Sequence, residues 1–480
     1  MSLTLGCILA ALLVYSQTMA FHWDEGFHLL AAQLIAAGKR PYFDFLFTQT
    51  PLNAFWNAAW FRAFGPGWRV THAVAAVETW LAVVLASGYA LRRFPVAEWR
   101  RAAAIATAAL FGCMTVVFDF GTIGQAYGFC LVLLVGAFRL AVGAREDAGW
   151  RRAALAGLCA GAAAGASLLT APAAPVLLLW IWRYSAAERR WAKAAAFVLG
   201  AVPPLAPVLW FLARAPRQVW FNLVEYHALY RRANWSGATG NDIDVLSAPF
   251  HDTQWFILSA LAVAGWVFMR RSRWDSAARA ESSLCVWLAL AMGAQNATAH
   301  PTFEQYFIFL VPFLAVPACA GAYAAASRLQ ISARPGRVVW AIGIFMAAAL
   351  ARGVFEERDD VTWSRLAPAA RKVAEVAPPG AAIVAREQIY LLAHRQPPAG
   401  LESVYSTKLD LGAHKNALFH ILPRAGRDRR IKAAGFAATV VCDDDERADE
   451  VDGWDIYSEK AELGTCTVFW KPKPAGELSQ

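Results

Sequence analysis

Apolar and polar positions alternate on a coarse scale along this chain. Long apolar runs lie near residues 2–20, 71–91, 102–118, 124–143, 153–170, 172–183, 194–213, 255–269, 283–298, 306–326 and 338–354. A bilayer crossing needs about 20 apolar residues in a helix, so the pattern predicts about eleven spans. The first connection, residues 21–70, is long and itself periodic. "EGFHLLAAQLIAAG" and "LNAFWNAAWFRAFG" repeat apolar residues at helical spacing and predict amphipathic helices lying in the membrane interface. Beyond residue 355 the pattern changes. Residues 364–377 have helical spacing followed by a Pro-Pro-Gly stop, and "AAIVA", "AATVVC" and "TCTVFW" read as short strands. The expectation is a mainly α, polytopic transmembrane helix bundle over residues 1–355, followed by a small α/β outer domain over 356–480.

Composition agrees with the periodicity. The 480 residues are 58% hydrophobic and 17% charged, with 21 Trp, which is more apolar than a typical soluble domain. The net charge of +9 raises nucleic acid as a partner, but the basic residues answer otherwise. Alternate loops hold Arg92, Arg93, Arg100 and Arg101; Arg145, Arg151 and Arg152; Arg183, Arg189, Arg190 and Lys193; Arg270, Arg271, Arg273 and Arg279; and Arg328, Arg334 and Arg337. Segments 119–123, 170–172 and 299–305, on the opposite side, hold no Lys or Arg. That asymmetry is the positive-inside signature. It predicts a cytoplasmic N-terminus and an outer C-terminal domain, and leaves no role for nucleic acid. Six cysteines lie in apolar runs. Cys442 and Cys466 lie on outer strands, where an oxidising compartment permits a disulfide.

With this topology Asp24, Glu25, Asp44, Asp119, Glu225, Asp242, Asp244, Asp252 and Glu304 all fall on the outer side. An acid under the first-loop helices sits in lowered dielectric and suits general-base work. The plainer reading of Asp24 and Glu25 is a helix cap, and of Asp44 a turn residue. Both readings stay open on the residues alone.

The stretch "DEGFHLLAAQLIAAGKRPYFDFLFTQTPL" resembles the first outer loop of GT-C superfamily glycosyltransferases, in the bacterial branch of the protein O-mannosyltransferase-like and lipid A aminoarabinose-transferase-like enzymes. "HPTFEQYFIFLVPFLAV", "FNLVEYHALYRR" and "IVAREQIYLLAHRQPP" are similar to later family elements, so the likeness spans most of the chain. It implies transfer of a sugar from a polyprenyl-phosphate carrier to a lipid, glycan or protein acceptor at the outer face of a bacterial cytoplasmic membrane, with inversion. Asp24 maps to the family's catalytic base or metal-associated carboxylate, with Glu25 orienting it or binding acceptor. A divalent metal stays open, with Asp24 its ligand. The leaving phosphate calls for positive charge. Lys39, Arg40, Arg62, Arg69, Arg231, Arg232 and His300 are candidates, Arg231, Arg232 and His300 foremost, with Tyr306 as a hydroxyl donor and His227, Asp44 and Glu304 as further substrate-binding candidates. For Arg231 and Arg232 attraction to headgroups is the competing account. Relatives often carry a second acid where this chain has Gln125; either Asp119, about one and a half turns earlier, substitutes or the second carboxylate is absent. Two rivals remain. A multi-pass transporter requires internal repeats, and none is visible. A non-catalytic lipid-binding protein requires a groove but no base.

Overall fold

Each apolar run forms helix, because a helix alone satisfies its own backbone groups in hydrocarbon. The computed structural model describes residues 1–146, 149–231, 236–272, 274–433, 435–442 and 456–472. Among these, six helices are long and apolar enough to cross a bilayer. They are Trp68–Arg93, Tyr127–Glu146, Arg190–Arg214, Thr253–Arg271, Glu304–Arg328 and Pro335–Glu356. A seventh crossing follows if Ala97–Gly112 and Thr115–Gly121, bent by 61°, form one span. The other expected runs form the helices Ser2–Thr18, Arg151–Ala166, Leu168–Tyr184 and Ser276–Thr298, which are shorter or less apolar. The architecture is thus that of a multi-pass membrane protein.

Contacts divide the chain into two units. The first holds residues 1–20, 72–209 and 231–358; the second holds 21–71, 210–230 and 359–480. The first loop and segment 210–230, expected with the spans, therefore pack with the C-terminal segment.

The first unit is a helix bundle joined by small residues. A Cβ on Gly265 would stand 1.9 Å from the Pro317 carbonyl oxygen, and one on Gly321 would stand 2.0 Å from that of Leu261. Helices Thr253–Arg271 and Val311–Arg328 thus meet backbone to backbone, the device that replaces hydrophobic driving force between helices in lipid. Gly265→Val has no rotamer that avoids backbone, so the pair must separate. We expect a loss of folded stability of about 1–3 kcal/mol or more, read as a lowered unfolding temperature in detergent. A wild-type unfolding temperature would mean the pair parts freely. Helix Pro335–Glu356 buries only Met346, while Trp340 and Ile344 are exposed, as a lipid-facing helix requires.

The second unit is built on a four-stranded sheet, β1 (Ile383–Val384), β2 (Ala438–Cys442), β3 (Tyr457–Leu463) and β4 (Cys466–Pro472), in the order β1-β2-β4-β3. β1 pairs parallel to β2, and the other pairings are antiparallel. Cys442 faces Cys466 across β2 and β4, and the two are disulfide-bonded. Closing that loop stabilises the unit by roughly 3 kcal/mol in the chain-entropy account. The strand not expected from sequence, β3, lies at the sheet edge and carries Glu459, Lys460 and Glu462, charges that blunt an open edge.

Helix Trp363–Val376 packs on the sheet. Helix Glu25–Ala36 packs against Leu52–Phe64 and Glu387–Leu392. Its positions Glu25 to Ile35 are all buried, so it is a core helix of this unit rather than an amphipathic one with a free face. The reason is visible in its residues, since Phe27, Leu29, Leu30, Leu34 and Ile35 cover more than one face. Leu52–Phe64 does keep two faces, burying Asn53, Ala54, Asn57, Ala58 and Phe61.

Candidate active site

Asp24 stands at the N-cap position of Glu25–Ala36, yet its carboxylate takes no hydrogen bond from the helix amides. The reason is local: its own backbone is already helical, at φ −66° and ψ −17°, whereas a capping side chain needs an extended backbone to fold back. The carboxylate turns instead to the C-terminal segment, where the Tyr405 hydroxyl donates to Oδ1 at 2.7 Å. The Asp24 backbone N–H donates to His22 Nδ1 at 3.2 Å. Asp24 is half-buried, so it keeps an open side.

Glu25 differs in every respect. It is fully buried and accepts a hydrogen bond from Trp363 Nε1 at 3.0 Å. Trp363 in turn stacks on Trp68, with ring centroids 5.9 Å apart. Glu25 thus ties the first loop to the helix Trp363–Val376, and of the pair Asp24 alone reaches the surface. His28, one turn further along, is buried between Phe27 and Phe47, and its Nδ1 has no hydrogen-bond partner. Burial pushes its imidazole down to about 4, against the opposite pull of Asp24 and Glu25. The ring is therefore neutral near pH 7 and adds no positive charge beside Asp24. Close packing fixes the turn itself. A Cβ on Gly26 would stand 2.6 Å from the Gln388 side chain, whose Nε2 donates to the Trp23 carbonyl at 2.6 Å. Tyr405 is held edge-on by Phe27 and Tyr226, at centroid distances of 5.5 and 6.0 Å.

The other first-loop candidates do not join this group. Arg40 donates to Asp44 from its backbone N–H at 2.7 Å and from Nε and Nη2 at 3.1 Å each. Those side-chain bonds hold the Asp44 carboxyl below the usual carboxylate range. The pair staples its own turn, and its charges answer each other. Lys39 is half-buried beside it. His227 lies on a ten-residue π-helical stretch, Phe221–Tyr230, and its Nε2 sits 2.7 Å from the Thr48 carbonyl oxygen. Asn222 on the same stretch accepts the Phe47 N–H at 3.0 Å. Together they pin the loop that follows Asp44.

The first unit gathers a second set. The Arg231 guanidinium donates to the Tyr306 hydroxyl and lies over the Phe303 and Tyr306 rings, at 5.2 and 5.3 Å. No carboxylate pairs with it among the described residues. Nearby in the chain, His300 Nδ1 bonds to Asp242 Oδ2, and Asp242 Oδ1 accepts the Thr302 N–H at 2.6 Å. Burial alone would push the Asp242 carboxyl up, but the Thr302 N–H and His300 outweigh it and hold it below its usual range. Asn296 Nδ2 donates to the Tyr306 carbonyl at 2.6 Å. This network fixes the segment 300–306 from which Tyr306 projects. Glu304 is exposed and Gln125 buried. Asp119 accepts from Tyr15 at 2.7 Å, and the same hydroxyl lies 3.3 Å from Glu357. Arg232 lies outside the described residues. Among the described residues no three His, Cys, Asp or Glu side chains form a group able to hold a metal ion.

Tyr405 and Trp363 escaped the sequence reading, which placed Asp242 on the outer side but gave it no role. Tyr405 stands 381 positions from Asp24, and nothing in "SVYSTK" marks it.

The multi-pass helix bundle, the helical first loop and the small C-terminal sheet together make up a fold that solved structures share. Two crystal structures of ArnT from Cupriavidus metallidurans share it at 14% sequence identity. One, bound to undecaprenyl phosphate, superposes with a TM-score of 0.70, covering 98% of this chain and 97% of that one. The other, in the apo state, gives 0.68 with the same coverage. No sequence-family model matches the chain. No curated protein sequence matches it either.

Proposed function

We propose that this protein is a membrane glycosyltransferase that moves a sugar from a polyprenyl-phosphate carrier to an acceptor hydroxyl or amine. The reaction is a single inverting displacement. The acceptor attacks the anomeric carbon as the bond to the carrier phosphate oxygen breaks. That oxygen leaves with the bonding electron pair, and the acceptor proton passes to Asp24. A phosphate is a weak base and needs no general acid, only positive charge and hydrogen-bond donors. Arg231 and Tyr306 supply these. Glu25 anchors the turn that presents Asp24, and Tyr405 orients its carboxylate.

The single observation that carries this reading is that Asp24, at a helix start, leaves the helix amides uncapped and is aimed by Tyr405. ArnT, with the same fold, was solved with undecaprenyl phosphate, which supports a polyprenyl-linked donor here. The basic loops support a cytoplasmic N-terminus with residues 356–480 outside, in a bacterial cytoplasmic membrane.

Comparing membrane lipids and surface glycans from cells with and without the gene, by mass spectrometry, tests the reading. Loss of the gene should remove one glycosylated product and leave its sugar on the polyprenyl carrier. Unchanged carrier and product pools would reject it.

A further inference from the structure

At the basic end of the first unit a cavity of about 640 Å³ opens between helices Trp68–Arg93 and Tyr127–Glu146, with Arg152 of the next helix at its rim. Its walls mix arginines with apolar and glycine positions, among them Leu85, Gly88, Arg92, Arg139 and Gly143. The arginines of this region are not alike. Arg93 is satisfied by Glu146, through two bonds of 2.6 Å. Among the described residues Arg92 and Arg139 have no carboxylate partner. Each spends one donor on a wall carbonyl, Arg92 Nε on Gly88 and Arg139 Nη1 on Leu85, both at 3.2 Å. A guanidinium has five N–H donors, so both keep most of theirs. They also face each other. A Cβ on Gly88 would stand 3.5 Å from an Arg139 nitrogen and 3.7 Å from one of Arg92, and the two like charges repel. Arg139 lies well inside an apolar helix, where an uncompensated charge is costly and marks a binding site. An anion between the two removes that cost.

The shape says which anion. Below Arg92 the same face of its helix carries Gly88, Leu85, Leu81 and Val77 at helical spacing, and Leu81 and Val77 are exposed. A soluble phosphate has no use for that strip, whereas an acyl chain does. We infer that this cleft binds an anionic phospholipid of the leaflet facing the basic loops. The lipid's phosphodiester sits between Arg92 and Arg139, and one chain lies along Leu85, Leu81 and Val77. Glycine at 88 leaves the room the headgroup occupies. The site is independent of the transfer reaction proposed above.

Native mass spectrometry of the full-length protein in detergent, titrated with dioleoyl phosphatidylglycerol or dioleoyl phosphatidylcholine, tests this. Phosphatidylglycerol should bind at least tenfold more tightly than phosphatidylcholine. The variant R92Q/R139Q should lose at least tenfold of that affinity. R92Q alone, at an exposed helix end, and Gly88→Leu, which fills the space with both charges intact, should each weaken it severalfold and guard against a folding defect at Arg139. Glycerol 1-phosphate should not displace the lipid at equal concentration. Wild-type affinity in these variants, equal binding of the two lipids, or displacement by glycerol 1-phosphate would each overturn the proposal, the last by making the cleft a site for a soluble anion.

Discussion

Asp24→Asn should slow sugar transfer by at least about a hundredfold while leaving donor binding intact. The expectation follows from what the carboxylate touches. Asparagine keeps the size of aspartate and an oxygen that accepts the Tyr405 hydroxyl bond, which is 2.7 Å long, so packing and position survive. What it cannot do is take a proton. General-base loss costs about 10² to 10⁴ in rate. A capping acid would behave oppositely, because Asn caps a helix about as well as Asp. Here the side chain makes no cap bond to lose. The control is Glu25→Gln. Glu25 is buried on Trp363 Nε1, and Gln offers the same acceptor, so its cost should appear in folded yield and only modestly in turnover. Tyr405→Phe should fall between the two, lowering kcat without changing carrier binding, since it frees the carboxylate to rotate. The measurement is transfer from a defined polyprenyl-phosphate sugar by purified protein, with donor binding assayed separately. Near-normal transfer by Asp24→Asn would move the search to Asp44 and Asp119.

How much of this was legible beforehand differs by level. The helices were, because bilayer thickness sets run length and hydrocarbon permits no other backbone. The register of Trp363–Val376 and the strands β1, β2 and β4 were also readable, since they carry their period on their own residues. β3 was not, because an edge strand with Glu459, Lys460 and Glu462 resembles a charged loop. Grouping was hidden too. The period of "EGFHLLAAQLIAAG" says that it buries apolar residues but not against what, and its partner helix Glu387–Leu392 lies more than 350 residues away. At the site, sequence pointed to Asp24 and Glu25 as a pair, and only the fold separates them, one half-exposed and one sealed. Arg40 and Asp44 read as two binding candidates, yet the turn between them closes so that their charges answer each other.

The second large effect is on the carrier phosphate. Arg231→Ala combined with Tyr306→Phe should raise the apparent KM for the lipid donor by about one to two powers of ten, with a smaller change in kcat. The guanidinium is clamped over Phe303 and Tyr306 and given direction by the Tyr306 hydroxyl, with no carboxylate to satisfy it among the described residues. A cation so held is oriented before its anion arrives, so little ordering entropy is spent on binding. Each charge-assisted hydrogen bond lost costs about 1.5–3 kcal/mol, and 1.4 kcal/mol is about tenfold in affinity. Attraction to headgroups predicts something else: a weak, salt-sensitive effect shared by any neighbouring arginine and the same for every anionic lipid. The discriminating comparison is the KM for donor in low and high salt, for this double variant and for Arg217→Ala as a reference arginine outside the candidate set. If the two variants shift KM alike, and salt erases both shifts, Arg231 serves the membrane surface and the carrier phosphate is held elsewhere. If the Arg231 shift persists in high salt, the guanidinium grips the phosphate directly, because contacts shielded from solvent are screened least.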